Sequence, residues 1–307
     1  ANAVEIGDLK NDPEIDSILW IGFPGCYGML GVSDILCGRT SPSGALPDIY
    51  ATYNMSAPAM QNMGNFQYEN GAEMLTRGAG QTGGTTGNYL IEAEGIYVGY
   101  RYYETRYYDS VFGNGNAGSP VGAYASSTEW DYDKEVAYGF GYGLSYTDFT
   151  QEFEGEPEFN VSTDPETGVC DATAVFHVKV TNTGDMAGKS IVQIYGQAPY
   201  TEGGVEKSAV QLLNFDKTDT LKPGESQVVS VEVDLQYIAS YDNTYDNGDG
   251  TVGTYILDPG TYYFAMGNGA HDALNHMMAR QGADPESLSG ESNSAMAYEH
   301  KITEDFI

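Results

Sequence analysis

An α/β unit followed by an all-β sandwich is the fold class this sequence predicts, and three observations predict it. Residues 12 to 50 hold a short apolar run, a proline–glycine break and a helical repeat. From about residue 150, short runs alternate apolar with polar side chains between strong turns. Glycine and tyrosine are abundant, at 39 and 25 of 307 residues, which favours strands and tight turns over a helical bundle. An apolar content of 41% fits a packed chain with room for two ordinary domains.

Taken in order, Ser17-Ile18-Leu19-Trp20-Ile21-Gly22-Phe23 is nearly continuous in apolar side chains. That pattern predicts a strand buried on both faces, with Trp20 in the core. Pro24-Gly25 ends it, and Met29, Val32, Ile35 and Leu36 recur at the spacing of a helix of about three turns. Gly38 stands where a helix C-terminal glycine belongs, and Ser41-Pro42-Ser43-Gly44 is turn chemistry. Residues 51 to 90 have weak periodicity, with a loop expected from Gly78 to Gly87. Tyr89 to Tyr103 has strand-like composition, and residues 110 to 130 again resemble a loop.

Beyond residue 150 the period changes to two. Phe176, Val178 and Val180 alternate with His177 and Lys179, and Asn182-Thr183-Gly184-Asp185 follows as a turn. Ile191 to Tyr195 is the next strand, and Val229, Val231, Val233 and Leu235 form another after the turn Lys222-Pro223-Gly224-Glu225. Tyr255-Ile256-Leu257 and Tyr262-Tyr263-Phe264 are two strands joined by Asp258-Pro259-Gly260. Regular short strands with such punctuation predict an immunoglobulin-like β-sandwich. Ala273, Leu274, Met277 and Met278 then share one helix face, and the polar stretch after them is expected to be a linker.

A net charge of −31 excludes nucleic acid as a partner and disfavours an anionic membrane surface, since both need clustered Lys and Arg. A neutral ligand such as a sugar is compatible with it. Cys26, Cys37 and Cys170 show no CxxC or Cys/His spacing, so neither a disulfide framework nor a metal site is expected. Buried free thiols in a reducing compartment are the default, which favours the cytoplasm. The first residues carry no signal-peptide pattern, and no apolar run reaches membrane-spanning length. The chain opens on Ala1 and stops on Asp305-Phe306-Ile307, so a fragment is expected.

Several of these segments match one family. Ile18 to Gly28, followed by Val32-Ser33-Asp34-Ile35-Leu36-Cys37-Gly38 and Ser41 to Asp48, resembles the last strand and helix of the α/β-sandwich domain of glycoside hydrolase family 3, β-glucosidase type. Glu94 to Glu104 is similar to the segment that leaves that domain. Tyr138-Gly139-Phe140-Gly141-Tyr142-Gly143-Leu144-Ser145-Tyr146-Thr147 resembles the opening of its fibronectin type III-like domain. Val178 to Asp185, Gln193-Ile194-Tyr195 and Leu221-Lys222-Pro223-Gly224-Glu225 resemble signatures of that domain. Ala45 departs from the family, which usually has a basic residue there. His271-Asp272-Ala273-Leu274-Asn275 onward resembles the junction of permuted members, in which the TIM barrel follows the fibronectin-like domain. The resemblance implies a partial α/β-sandwich domain and connecting segment over 1–150. It implies a fibronectin type III-like domain over 151–269, and over 270–307 a helix and linker towards a missing barrel.

The resemblance also implies where the chemistry lies. Retaining glycosidases need two carboxylates about 5–5.5 Å apart. The family's nucleophile is an Asp on the barrel, and its acid/base is a Glu upstream of the strand at residue 17. Neither motif occurs here, so no catalytic residue and no cofactor is expected in this chain, which would not hydrolyse alone. The intact enzyme would take a small oligosaccharide or aryl glycoside, with the TIM barrel supplied in cis or in trans. The rival is a non-catalytic module that binds carbohydrate or protein.

Other constellations have plainer readings. Glu92 and Glu94 would share a strand face about 6.5–7 Å apart, and are expected to be solvated or structurally paired, Glu94 with Arg101 or Arg106. His271 and His276 lack the i,i+4 spacing of metal ligands, and His177 and His300 stand apart from them. No Gly-x-Ser-x-Gly elbow supports a Ser–His–Asp triad. Gly139-Phe140-Gly141-Tyr142-Gly143 is expected to be a structural turn, because no helix follows it. Asp242 to Asp249 misses the EF-hand pattern, leaving a hairpin loop or weak calcium binding. Trp130, beside Asp131 and Tyr132, is the candidate substrate-contacting ring, against an ordinary role at a domain interface.

Overall fold

The computed structural model describes residues 4–61, 64, 66–69, 88–89, 91, 93–113, 130–163, 170–201 and 203–303. Strands β1 (Phe149–Phe153), β2 (Glu158–Thr163), β3 (Cys170–Asn182), β4 (Ile191–Gln197) and β5 (Gln211–Lys217) come first in the main body. They are followed by β6 (Ser226–Asp234), β7 (Ser240–Asp246), β8 (Val252–Ile256), β9 (Gly260–Met266) and β10 (Ala297–Ile302). One antiparallel sheet runs β6–β3–β1, with β2 also paired to β3. The other runs β10–β9–β4–β5, and β7 with β8 makes a separate hairpin.

The period of two sets the first sheet. Val229, Val231 and Val233 on β6 face Val178, Phe176 and Ala174 on β3 in register, and all six are buried. Ser230 and Glu232 between them are exposed. Ile194, Tyr262 and Phe264 from the second sheet close this core. The Phe176 ring lies 5.5 Å from Phe264 and 6.1 Å from both Phe153 and Phe159. Each such side chain contributes about 1.5–3 kcal/mol by leaving water.

The central strands β4 and β9 of the second sheet are covered on both faces, which explains the near-continuous run at Ile191 to Tyr195. Val192 and Ile194 point into the sandwich, while Tyr195 points the other way, to a second core. That core is closed by helices α2 (Tyr100–Phe112) and α3 (Ala270–Arg280); α1 is Gly25–Leu36. On α3, Ala270, Ala273, Leu274, Met277 and Met278 are all buried, the i, i+3, i+4, i+7, i+8 stripe of a docked helix. Asp272 in its first turn and Arg280 in its last complement the helix dipole. The result is three layers: sheet, sheet, helices.

The glycine-rich stretch at 139–143 is a structural turn, as expected. Gly141 has φ 83°, and a Cβ there would lie 2.6 Å from the Tyr195 hydroxyl and 2.9 Å from Gly269. Leu46 N–H donates to Tyr142 O at 2.8 Å and Gly141 N–H to Leu46 O at 2.9 Å. The turn at Asn182 is also as expected. Its buried amide accepts from Thr147 Oγ1 at 2.8 Å and donates to Met186 O and Leu221 O, both at 2.8 Å. The acidic segment 242–249 is the β7–β8 hairpin, where Asp242 Oδ1 accepts from Thr244 N and Asp249 Oδ1 from Thr251 N.

Several expectations are corrected. Residues 17–23 form no strand, and Trp20 is not core: it is 44% exposed and Phe23 is 88% exposed. A strand needs a neighbour for its N–H and C=O groups, and no strand pairs with this segment among the described residues. α1 forms at the expected place and ends before Gly38 at φ 67°, but buries none of its residues. Cys26 and Cys37 are exposed rather than buried. Of the strand-like stretch Tyr89 to Tyr103, Tyr89 lies in the short strand Asn88–Tyr89 paired with Phe66–Gln67, but the end of the stretch is helical from Tyr100. The polar stretch after α3 is not merely a linker, since Ala297–Ile302 is the edge strand β10. It is tied down by His300 stacked on Phe159 at 3.8 Å and by Tyr298 OH donating to Gly155 O at 3.0 Å. Strands β8 and β9 both exist, yet they belong to different sheets. Glu92, the loop expected at 78–87 and residues 114–129 of the loop expected at 110–130 lie outside the described residues, while Ser110 to Phe112 belong to the last turn of α2.

Candidate functional site

Gly99 at φ 60° turns the chain into α2, and Gly113, left-handed at φ 70°, ends it with its N–H on Asp109 O at 2.8 Å. Between them Tyr100, Tyr103, Glu104, Tyr107, Tyr108 and Val111 recur at helical spacing, and this side faces the second sheet and α3. The helix is bolted down by polar contacts. Leu212 N–H donates to Tyr100 OH at 3.0 Å, Ala209 N–H to Thr105 Oγ1 at 2.9 Å, and Tyr108 OH to Gln281 Oε1 at 2.8 Å.

Glu104 sits at the centre of this interface with no exposed surface. Its Oε1 accepts from Tyr132 OH at 2.5 Å, and its Oε2 lies 2.9 Å from His271 Nδ1. His271 Nε2 is 2.8 Å from the Ser289 carbonyl oxygen. A carbonyl only accepts, so His271 Nε2 carries a proton and donates to Ser289 O, while Nδ1 is held against the Glu104 carboxyl group. Burial alone would lower the His271 pKa. The Glu104 charge and hydrogen bond and the Ser289 carbonyl outweigh it, so the pKa is raised above 6.5. Three rings cluster here: His271 stacks on Tyr132 at 3.8 Å and is tilted against Tyr107 at 4.6 Å, and the two tyrosines lie 5.3 Å from each other. Burial, with the Glu104 charge added, holds the Tyr132 phenol well above its ordinary range.

A second loop of bonds encloses the pair. Tyr107 OH donates to Asn275 Oδ1 at 2.8 Å and accepts from Ser289 N at 2.7 Å, while Asn275 Nδ2 donates to Ser289 O at 2.7 Å. Burial pushes the Tyr107 phenol up to about 12. Asp131 caps the short helix Tyr132–Glu135, which aims Tyr132 inward, by accepting from Asp133 N. Glu104 therefore has both oxygens engaged and no route to a substrate: it clamps α2, α3 and the segment 288–290 together.

Trp130 lies at the rim of this core. The Arg106 guanidinium is 5.0 Å from its ring, and Tyr132 meets it edge-on at 6.5 Å. Arg106 also donates to Tyr102 OH at 2.8 Å. The Glu94 charge contributes, after burial and the Arg106 and Glu135 effects, to the raised pKa of Tyr102. His276 Nδ1 accepts from Asn293 N at 3.1 Å, away from His271's carboxylate. No group of three His, Cys, Asp or Glu side chains arranged for a metal occurs among the described residues. Sequence reasoning missed the Glu104–His271–Tyr132 cluster; the signal available was the helical spacing of the acid within a run of tyrosines.

This site and fold define a class: a β-sandwich with a docked helical layer, held together at a buried Glu104–His271 pair. Residues 190–270 match the fibronectin type III-like domain family. The chain is 33% identical over 269 residues to β-glucosidase A of Butyrivibrio fibrisolvens, covering 86% of this chain and 26% of that protein. It is 30% identical to the β-glucosidase of Ruminococcus albus, covering 89% and 22%. A solved β-glucosidase from Paenibacillus barengoltzii superposes with a TM-score of 0.54 at 28% identity, covering 91% of this chain and 22% of that one. The chain corresponds to the part of family 3 glycoside hydrolases, of the β-glucosidase type, that carries the fibronectin type III-like domain. It spans about a quarter of the length of the curated relatives it matches. No helix among the described residues is long and apolar enough to cross a membrane.

Proposed function

We propose that this chain is the scaffold and cleft wall of a β-glucosidase-like enzyme that removes terminal β-linked glucosyl units from small oligosaccharides or aryl glycosides. Its reacting carboxylates would lie in other polypeptide: the nucleophile on a TIM barrel, joined in cis after residue 307 as in permuted members or supplied in trans. Under this reading residues 1–150 are part of the α/β-sandwich domain, 151–269 the fibronectin-like domain, and 270–307 the approach to the barrel. Trp130 would be the ring nearest the substrate. A cytoplasmic setting agrees with the free thiols Cys26 and Cys37.

The observation that carries the reading is the exposed apolar face of residues 18–36. Ile18, Leu19, Trp20, Ile21, Phe23, Tyr27, Met29, Leu30 and Leu36 are all more than 40% exposed. A contiguous patch of this kind is a surface waiting for cover, and the missing part of an α/β layer provides it. The test is to mix the purified chain with a barrel-bearing piece and assay an aryl β-glucoside. Release from the mixture and from neither piece alone is expected. Release by this chain alone, abolished by Glu94→Gln, would overturn the assignment, and a mixture that binds sugar without cleaving it would favour the binding-module reading.

A further inference from the structure

A cleft of about 1010 Å³ opens beside the first turn of α2, at Arg101. Its walls are the residues leading into α2, the loop 203–208, the turn Leu235–Ile238 and the β7–β8 hairpin. Three of its tyrosines are exposed: Tyr237, Tyr241 and Tyr255. Tyr241 and Tyr255 are direct cross-strand partners with ring centroids 5.2 Å apart at 66°, so they present a face and an edge from a fixed two-strand support. Rings held this way lose little conformational entropy when a flat partner stacks on them.

The polar groups of the cleft are of mixed type. The Arg101 guanidinium and the Asn243 amide line it, and neither side chain has a hydrogen-bond partner among the described residues. Glu206 supplies an exposed carboxylate from the loop. Lys207, the buried cation of the wall, is already neutralised by its ion pair with Asp258. An anionic ligand would therefore meet one free guanidinium in a chain of net charge −31. A polyhydroxylated neutral ligand would instead find donors, acceptors and apolar ring faces together.

We propose that this cleft binds a neutral β-linked oligosaccharide of several units, with its C–H faces on Tyr255 and Tyr241 and its hydroxyls on Arg101, Asn243 and Glu206. The volume stands at the upper end of the roughly 300–1,000 Å³ usual for ligand pockets, which selects several rings over one. The choice of sugar rests on the glycosidase reading above; the cleft and its chemistry do not.

Isothermal titration of the chain with cellotetraose and with glucose tests this. The tetramer is expected to bind at least tenfold more tightly than glucose, and Tyr255→Ala and Arg101→Ala are each expected to weaken it at least tenfold with unchanged melting. If Tyr255→Ala alters melting, Asn243→Ala carries the same test, because its side chain has no bond to lose. Absent binding, or binding indifferent to all three variants, overturns the proposal. Absent binding alongside aryl-glucoside cleavage by the barrel mixture removes the cleft and leaves the hydrolase reading standing. Tetramer binding without cleavage does the reverse.

Discussion

Replacing Glu104 by Ala should destabilise the chain by about 3–5 kcal/mol, the cost of removing one partner from a buried ion pair. The structure explains the size. The carboxylate has no exposed surface and accepts from both Tyr132 OH and His271 Nδ1, and hydrogen bonds to charged groups contribute about 1.5–3 kcal/mol each. Its loss leaves the Tyr132 phenol and the His271 imidazole without their buried partner. The effect is measurable as a lowered midpoint in urea with an unchanged slope. A pH dependence separates this mechanism from simple loss of packing. The pKa of His271 is raised in the folded chain above 6.5, so its contribution is fully present below pH 6.5 and is lost as pH rises through the folded value. His271→Leu should therefore cost more at pH 5.5 than at pH 9, relative to the parent at each pH. A penalty for Glu104→Ala under about 1 kcal/mol, or an equal His271→Leu penalty at both pH values, would refute the account.

Three further outcomes follow from the packing. Phe176→Ala should cost about 3–5 kcal/mol in urea unfolding, since it removes the ring on which Phe153, Phe159 and Phe264 converge. Asn182→Leu should cost about 2–3 kcal/mol, because the Thr147 hydroxyl and two carbonyls lose their buried partner; a neutral result would show the corner is wet. Phe23→Ser with Leu30→Ser should raise the solubility limit of the chain and shift unfolding by no more than about 0.5 kcal/mol, since both side chains stand in solvent. A large loss of stability there would mean that the segment is packed.

How much of this was legible in the sequence depends on whether a pattern is local. The strands around Phe176 and Val231 are visible because one face meets water and the other a core, and that alternation is written residue by residue. The α3 stripe from Ala273 to Met278 is visible for the same reason at a different period. α2 was missed because tyrosine is common in strands, although the spacing of Tyr100, Tyr103 and Tyr107 is helical. β10 was missed because an edge strand is polar by design: Glu299 and Lys301 in its middle hide the buried Ala297 and Ile302 at its ends. Trp20 misled in the opposite direction. Its apolar neighbours describe a burial that the chain cannot complete among the described residues. The Glu104–His271 pair joins residues far apart in sequence, and a buried acid looks like any other acid until the fold places it.

The double-sided cover of β9 and β4 at the centre of the second sheet has a practical corollary for anyone dissecting the molecule. Similarity to the fibronectin-like domain stops at residue 270, yet the first residue of α3 is Ala270 and the last strand ends at Ile302. A clone trimmed to the homology limit would shed a helix and an edge strand together. It would bare Tyr195, Ala265 and the unpaired backbone of β9, the template on which misassembled copies grow. The cut that keeps the sheet whole falls after residue 302.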